Sequence, residues 1–358
     1  MTDKKEHIKI YIAGAGGAPS NNFIKSIREG CPDDYLIGAT SNPSDIFLAD
    51  VDERYVVPPA LHPNYKTSIL SLLEKTQPDF IHLQHDFEVR EISRMREAVH
   101  AFGVKTFLPD KETVENCVDK ERSYQIWKQA GVPVPRTILI TDENDLKAAF
   151  EELGSVVWLR AVEGGGGRGA LPADNYDFAR LWIERFDGWG NFTAAECLTK
   201  DTVTWLSLWN EGELVVAQTR KRRSWNFGDR TLSGVTGITG VAETFSSEAV
   251  DEIALASIKT IDPKPHGIFG VDMTYDLKGV PNPTEINIGR FFTTHYFFTK
   301  AGLNMPKIMR DIVIEEKLPA LTKKINPLPD GLVWIRGMDV SPVLTTVSEL
   351  EKFEKCLI

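Results

Sequence analysis

Gly-Ile-Phe-Gly-Val-Asp272-Met-Thr-Tyr and Pro-Asn-Pro-Thr-Glu285-Ile-Asn287-Ile are two strand candidates joined by a turn at Lys278-Gly279. Ile268, Phe269, Val271 and Met273 mark the first as a buried strand. Side chains two apart on a strand share a face, so Glu285 and Asn287 point the same way and Asp272 joins them from the neighbouring strand. Two carboxylates and an amide oxygen make a hard, oxygen-only ligand set that suits Mg2+ or Mn2+ rather than zinc. The competing reading is a solvated carboxylate pair at a hairpin; the apolar flanks favour the metal.

A second feature is Glu163-Gly164-Gly165-Gly166-Gly167-Arg168-Gly169, directly after the apolar run Val156-Val157-Trp158-Leu159-Arg160-Ala161-Val162. The run reads as a strand. The glycines bare the backbone so that its N–H groups can approach an anion, and Arg168 adds a planar cationic fork. Such a loop can fold over a polyphosphate and exclude water. It is not the Walker pattern, because no Lys-Ser or Lys-Thr follows the last glycine, and its context differs from the dinucleotide fingerprint.

The length of 358 residues accommodates two or three domains with their own cores. A formal net charge of −10 argues against nonspecific nucleic-acid binding by the whole molecule. Cys31, Cys117, Cys197 and Cys356 are scattered, which points to a reducing compartment without a zinc site. The polar start lacks a signal-peptide core and no apolar run is long enough to span a bilayer, so a cytoplasmic location without membrane association is expected.

The pattern divides the chain into blocks. In residues 1–115, strands at 8–13, 35–39, 79–83 and 104–108 alternate with helices at 20–29, 67–76 and 87–102, which predicts an α/β, Rossmann-like domain with a parallel sheet. Residues 116–195 carry helix 119–130, strand 136–140, helix 142–153 and the strand entering the glycine loop. Residues 196–320 are strand-rich, at 202–209, 214–222, 235–243, 267–276 and 280–288, with helix 247–261 inserted. Residues 321–358 form a partly structured tail, with a strand at 332–336 and a helix at 346–356.

Several tempting motifs are set aside. Gly14-x-Gly16-Gly17 follows a strand, but Pro19 replaces the third fingerprint glycine and the second strand ends without an acidic residue, so it reads as a structural crossover. His82-x-x-His85-Asp86 has metal-like spacing, yet His82 lies in a buried-strand pattern and Asp86 reads as the cap of the next helix. That loop leaves the carboxyl end of a strand, so His85, Asp86 and Glu88 are candidate substrate contacts. Arg220-Lys221-Arg222-Arg223 alternates faces if it is a strand, so only two of the four can enter one cleft.

Taken in order, these pieces resemble the ATP-grasp superfamily, and within it the group similar to the carbamoyl-phosphate synthetase large chain. The likeness covers residues 1–315: the lead domain, Asn116-x-x-Asp119-Lys120, Gly131-Val-Pro133-Val-Pro135, the strand and glycine loop, Glu196-Cys197-Leu198, the basic strand, and then Asp272, Glu285 and Asn287. The resemblance implies a pre-ATP-grasp domain followed by a two-lobed α+β ATP-grasp domain, its N-lobe at 116–195 and its C-lobe at 196–320. It implies ATP contacts from Lys120, Arg160, Gly164, Gly165, Gly166, Gly167, Arg168, Gly169, and the hinge residues Glu196, Cys197 and Leu198, with Asp201 the guess for the ribose. Two metal ions would sit at Asp272, Glu285 and Asn287. Arg222, Arg290 and Arg168 would act on the transferring group. Two departures stand out. Thr202 occupies the usual ribose-glutamate position, and Asn287-Ile-Gly-Arg290 is one residue longer than the usual Asn-x-Arg.

The activity so implied is an ATP- and Mg2+-dependent ligase that activates a small carboxylate as an acyl phosphate and joins it to an amine. Alternatives on the same residues are phosphorylation of a small carboxylate such as bicarbonate or carbamate without ligation, and a non-catalytic nucleotide-binding protein. A homodimer is the default assembly.

Overall fold

The computed structural model of the chain describes residues 7–164, 167, 169–230, 232, 234, 238–338 and 343–349. It contains three sheets. The first is five-stranded and all parallel, in the order β3-β2-β1-β4-β5, from β1 (Lys9–Ala13), β2 (Tyr35–Thr40), β3 (Glu53–Val56), β4 (Phe80–His82) and β5 (Lys105–Thr106). Its connections include α1 (Ala18–Gly30), α2 (Tyr65–Thr76), α3 (Asp86–Arg94) and α4 (Arg96–His100). The alternation read in the sequence thus gives the expected parallel sheet. β3 was not anticipated, because Glu-Arg-Tyr-Val at an exposed edge has no apolar alternation to reveal it.

The turn after β1 needs glycine. Gly16 has φ 96°, and a Cβ there would lie 1.9 Å from the Asp45 carbonyl oxygen. This close approach packs the β1–α1 crossover against the segment after β2.

The second sheet is four-stranded, in the order β6-β9-β7-β8, with β6 (Thr137–Ile140), β7 (Val157–Ala161), β8 (Leu171–Ala173) and β9 (Phe192–Glu196). α5 (Lys111–Val118) and α6 (Lys120–Gln129) precede it, and α7 (Glu143–Leu153) and α8 (Tyr176–Arg185) cover it around Ile140, Leu146, Val157, Leu159, Ile183 and Phe192.

The third sheet has seven strands, in the order β14-β13-β10-β11-β12-β15-β16. They are β10 (Thr202–Asn210), β11 (Glu213–Trp225), β12 (Thr239–Thr244), β13 (Gly267–Tyr275), β14 (Pro281–Ile288), β15 (Leu332–Ile335) and β16 (Val343–Thr346), all antiparallel. Pro281 and Pro283 are tolerated because β14 is an edge strand. α9 (Glu248–Ile261) packs on one face, where Trp205, Trp209, Val271 and Ile286 are buried and Trp127 Nε1 donates to the Ser257 carbonyl at 3.0 Å. α10 (Tyr296–Lys300) and α11 (Met305–Glu315) lie with α1 in a cluster that shares Leu206, Leu208, Ile268, Phe291 and Phe292. β15 and β16 extend this sheet, so the C-terminal segment braces it. β16 ends at Thr346, residues 347–349 are helical where the sequence predicts a helix, and 350–356 lie outside the described residues.

Among the described residues no helix is long and apolar enough to cross a membrane.

Candidate active site

The turn between β13 and β14 is built by Asp276, whose Oδ1 accepts from Lys278 N at 2.8 Å and Val280 N at 2.9 Å. A bulge follows, since Asp272 pairs with Glu285 but Met273 pairs with Pro283. Asp272 and Glu285 therefore stand directly opposite, side by side on one face. Asn287 Nδ2 donates to Asp272 Oδ2 at 2.9 Å, and Thr204 donates its hydroxyl to Asp272 Oδ1. The three residues singled out from sequence converge.

Register extends this row across the sheet. Arg220 pairs with Thr204, and Thr204 with Asp272. Arg220 and Arg222 therefore share the face of the carboxylates. Lys221 and Arg223 turn away to Glu243, at 3.0 and 3.3 Å. Arg222 donates to the hydroxyls of Thr202 and Thr239, each at 2.8 Å, and its guanidinium lies 3.7 Å from the Trp225 ring centroid. Burial lowers its pKa, while Asp272 and Glu285 act to raise it.

The start of α6 and strand β7 supply the opposing cations. α6 begins at Lys120, with Asp119 as its cap, and Lys120 Nζ lies 3.7 Å from Glu285 and donates to the Gly164 carbonyl at 2.6 Å. Arg160, on β7, donates to the Thr284 carbonyl at 2.8 Å, and its Nε is buried without a partner among the described residues. Burial lowers the Arg160 pKa, opposed by Glu285 and Glu121. The first residue of the glycine loop is tied down from α3, where Arg90 donates to Glu163 at 3.0 Å. Gly164, Gly167 and Gly169 have φ of 106°, 73° and 74°. Gly165, Gly166 and Arg168 lie outside the described residues.

β9 ends at Glu196 and β10 begins at Thr202, so Glu196-Cys197-Leu198 and Asp201 lie in or beside the link between the two antiparallel sheets. Arg136 engages the Glu196 carboxylate through its backbone N at 2.8 Å and its Nε at 2.7 Å, a contact no sequence signal announced. Asp201 is exposed, and its carbonyl accepts from Tyr275 N at 3.1 Å.

Gly289 accounts for the lengthened Asn287-Ile-Gly-Arg290. It has φ 67°, and a Cβ there would lie 2.8 Å from Val89 and 2.9 Å from Leu108. This lets α3 close on the sheet and aims Arg290 at both sides of the cleft. Arg290 donates to Asn287 Oδ1 and makes a two-pronged pair with Asp86. Burial would raise the Asp86 carboxyl, but Arg290, then Lys120 and His85, hold it below the usual range. Asp86 is therefore an ion-pair residue; the cap of α3 is His85, whose Nδ1 accepts from Phe87 N at 3.3 Å. His82 is a core residue, stacked on Phe23 at 3.8 Å. Glu88 points elsewhere. Tyr65 donates to it at 3.4 Å, and burial pushes its carboxyl up to about 7.

Magnesium fits this arrangement. Among the described residues no group of three or more His, Cys, Asp or Glu converges, and the donors present are the opposed carboxylates of Asp272 and Glu285, hard oxygen ligands that are few in number. That is how magnesium is held when phosphate oxygens and water complete its shell. Cations on both flanks supply complementary charge for such an anionic ligand.

No family model matches the chain. The propionyl-CoA carboxylase alpha chain of Ruegeria pomeroyi is 28% identical over 177 residues, 48% of this chain and 26% of that protein. The alpha-aminoadipate–LysW ligase LysX of Saccharolobus solfataricus is 22% identical over 256 residues, 63% of this chain and 89% of that protein. The matches to the carboxylase alpha chain and to a probable alpha-L-glutamate ligase of Rhodopirellula baltica span less than half the length of each. Among solved structures, the biotin carboxylase domain dimer of Hydrogenobacter thermophilus 2-oxoglutarate carboxylase, in complex with MgADP and bicarbonate, superposes with a TM-score of 0.70 at 18% identity, covering 93% of this chain and 75% of that one. The chain has the ATP-grasp fold.

Proposed function

We propose that the protein is a carboxylate–amine ligase that uses Mg-ATP to make an acyl phosphate from a small acid and passes the acyl group to an amine. The observation that carries this is Asp272 and Glu285, opposite in register, with Asn287 donating to Asp272, Arg222 on the same sheet face, and Lys120 and Arg160 facing them. The ligase relative and the MgADP- and bicarbonate-bound neighbour support the same reading.

In this reading residues 116–195 and 196–320 are the two jaws, residues 1–115 carry contacts to the reacting molecules, and 321–358 brace the second jaw. Asp272, Glu285 and Asn287 would hold magnesium, one or two ions, which supplies neutralisation of the polyphosphate. Lys120, Arg160 and Arg222 bind the phosphates, Gly164 to Gly169 with Arg168 cover them, and residues 196–198 with Asp201 hold the nucleoside. Arg290, fixed by Asp86, lies over Asn287 and steadies the acyl phosphate.

The chemical need is a leaving group. A carboxylate and an amine do not condense at neutral pH, because the departing oxygen is too basic. A carboxylate oxygen attacks the γ-phosphorus and ADP leaves; the amine then attacks the acyl carbon and inorganic phosphate leaves. The residues contribute positioning and charge rather than covalent chemistry.

A screen of ADP release across carboxylates and amines with Mg2+ tests the proposal. Release that requires both an acid and an amine, with an amide product, is expected. ADP formed with an acid alone would mark a carboxylate kinase, and nucleotide binding without any turnover would mark a sensor. A homodimer and a cytoplasmic location complete the proposal.

A further inference from the structure

Arg220 is buried in an unusual way. It is 3% exposed, and its Nε and Nη1 are buried without a hydrogen-bond partner among the described residues. Arg310 shows what a structural arginine at such depth does in this fold. It is 8% exposed, and its Nε and Nη2 each donate to Asp34 at 2.9 Å. Arg220 instead rests its guanidinium 4.5 Å from the Phe292 ring centroid. Asp272, the carboxylate that acts on Arg220, is already engaged by Thr204 and Asn287. Burial and then Arg222 push the Arg220 pKa down to about 9, with Asp272 opposing them. A buried guanidinium without an anion is costly, and such a group persists where a ligand satisfies it.

Position identifies the ligand. Lys120, Arg160 and Gly164 approach the carboxylates over β14, and Arg222 lies nearer than Arg220 to the link at 196–201, so the polyphosphate belongs on that side. Arg220 leans on Phe292, which packs in the cluster shared with α1 and the parallel sheet. It therefore faces the opposite end of the site, where the phosphoryl acceptor must lie. We propose that Arg220 binds the carboxylate of the acid substrate; this rests on the ligase reading and assigns that reading its acid-binding residue.

The probes are 13C-acetate, inorganic phosphate and Mg-AMP-PNP, with wild type, Arg220→Met and Arg220→Lys. NMR line broadening of acetate and phosphate is followed with and without Mg-AMP-PNP, and nucleotide affinity is measured by calorimetry. Wild type broadens acetate. Arg220→Met weakens acetate binding by about 10-fold or more, and Arg220→Lys by less, because one point charge replaces a fork. Mg-AMP-PNP affinity stays within about 2-fold in both, as expected of a group away from the phosphates. Ligand-free Arg220→Met unfolds about 2 °C or more higher than wild type, since an unpaired buried charge is gone. A structural role predicts the reverse shift.

Acetate broadening that survives in Arg220→Met, or that wild type fails to show, overturns the proposal. So does a loss confined to phosphate or to Mg-AMP-PNP, which would make Arg220 a phosphate ligand. If wild type fails to bind Mg-AMP-PNP yet acetate still depends on Arg220, the ligase reading falls and the carboxylate site stands.

Discussion

Glu285→Gln keeps the shape of the side chain and removes one charge from the centre of the site. Glu285 lies 3.7 Å from Lys120 Nζ and is 32% exposed. At an effective dielectric of about 20 the gross attraction is about 4 kcal/mol. Solvent screening of a side chain exposed to this degree leaves about 1 kcal/mol. The variant should therefore remain folded, with a chemical-denaturation free energy lowered by about 1 kcal/mol. The functional loss is of another order, because the same carboxylate is a proposed ligand for the magnesium of the nucleotide. Acid-dependent ADP release should fall by about 100-fold or more, the range for removing a group that stabilises developing charge. Calorimetry should show the affinity for Mg-AMP-PNP falling, while metal-free AMP-PNP binds the variant at least as well as wild type. Retained ADP release with an unchanged magnesium dependence would refute the reasoning.

Other perturbations follow from the same geometry. Lys120→Met removes the contacts to Glu285 and the Gly164 carbonyl, and should weaken Mg-AMP-PNP binding by about 10-fold or more in calorimetry. Asp86→Asn loosens Arg290 and should cost about 2 kcal/mol in urea unfolding at pH 7. Because the folded Asp86 pKa is depressed, its stabilisation is present above the unfolded pKa near ~4 and lost as pH falls through the folded value, so the wild-type advantage over Asp86→Asn should vanish in acid. Glu88 has the opposite sign. With its folded pKa raised to about 7, stability should decline as pH rises from the unfolded pKa toward that value. Glu88→Gln should remove that decline and stabilise the protein at pH 8 by an amount on the order of 2 kcal/mol.

The parallel sheet and the β13–β14 pair were legible because local patterning carries them: apolar alternation, turn residues at Lys278-Gly279, and period-two placement of Glu285 and Asn287. The rule that only two residues of Arg220-Lys221-Arg222-Arg223 can enter one cleft followed from the same periodicity, and Arg220 and Arg222 are those two. Weakly patterned elements escaped. β8 and β9 are short strands whose pairing with β7 is non-local, and β16, which follows the expected strand β15, is ordered by the edge of a sheet formed far upstream. The Asp86–Arg290 pair joins residues 204 positions apart, and Arg136–Glu196 joins residues 60 apart, so neither is visible in a window of sequence. The role of Gly289 needed the approach of Val89 and Leu108 before its presence between Ile288 and Arg290 made sense.

The central claim is that a phosphoryl group passes from ATP to a carboxylate oxygen in this cleft. An acid active in the ADP-release screen, labelled with 18O in its carboxylate, tests it directly. The account predicts one 18O atom in the inorganic phosphate formed with each ADP. ADP formed with unlabelled phosphate would show that water receives the phosphoryl group, and would contradict the account.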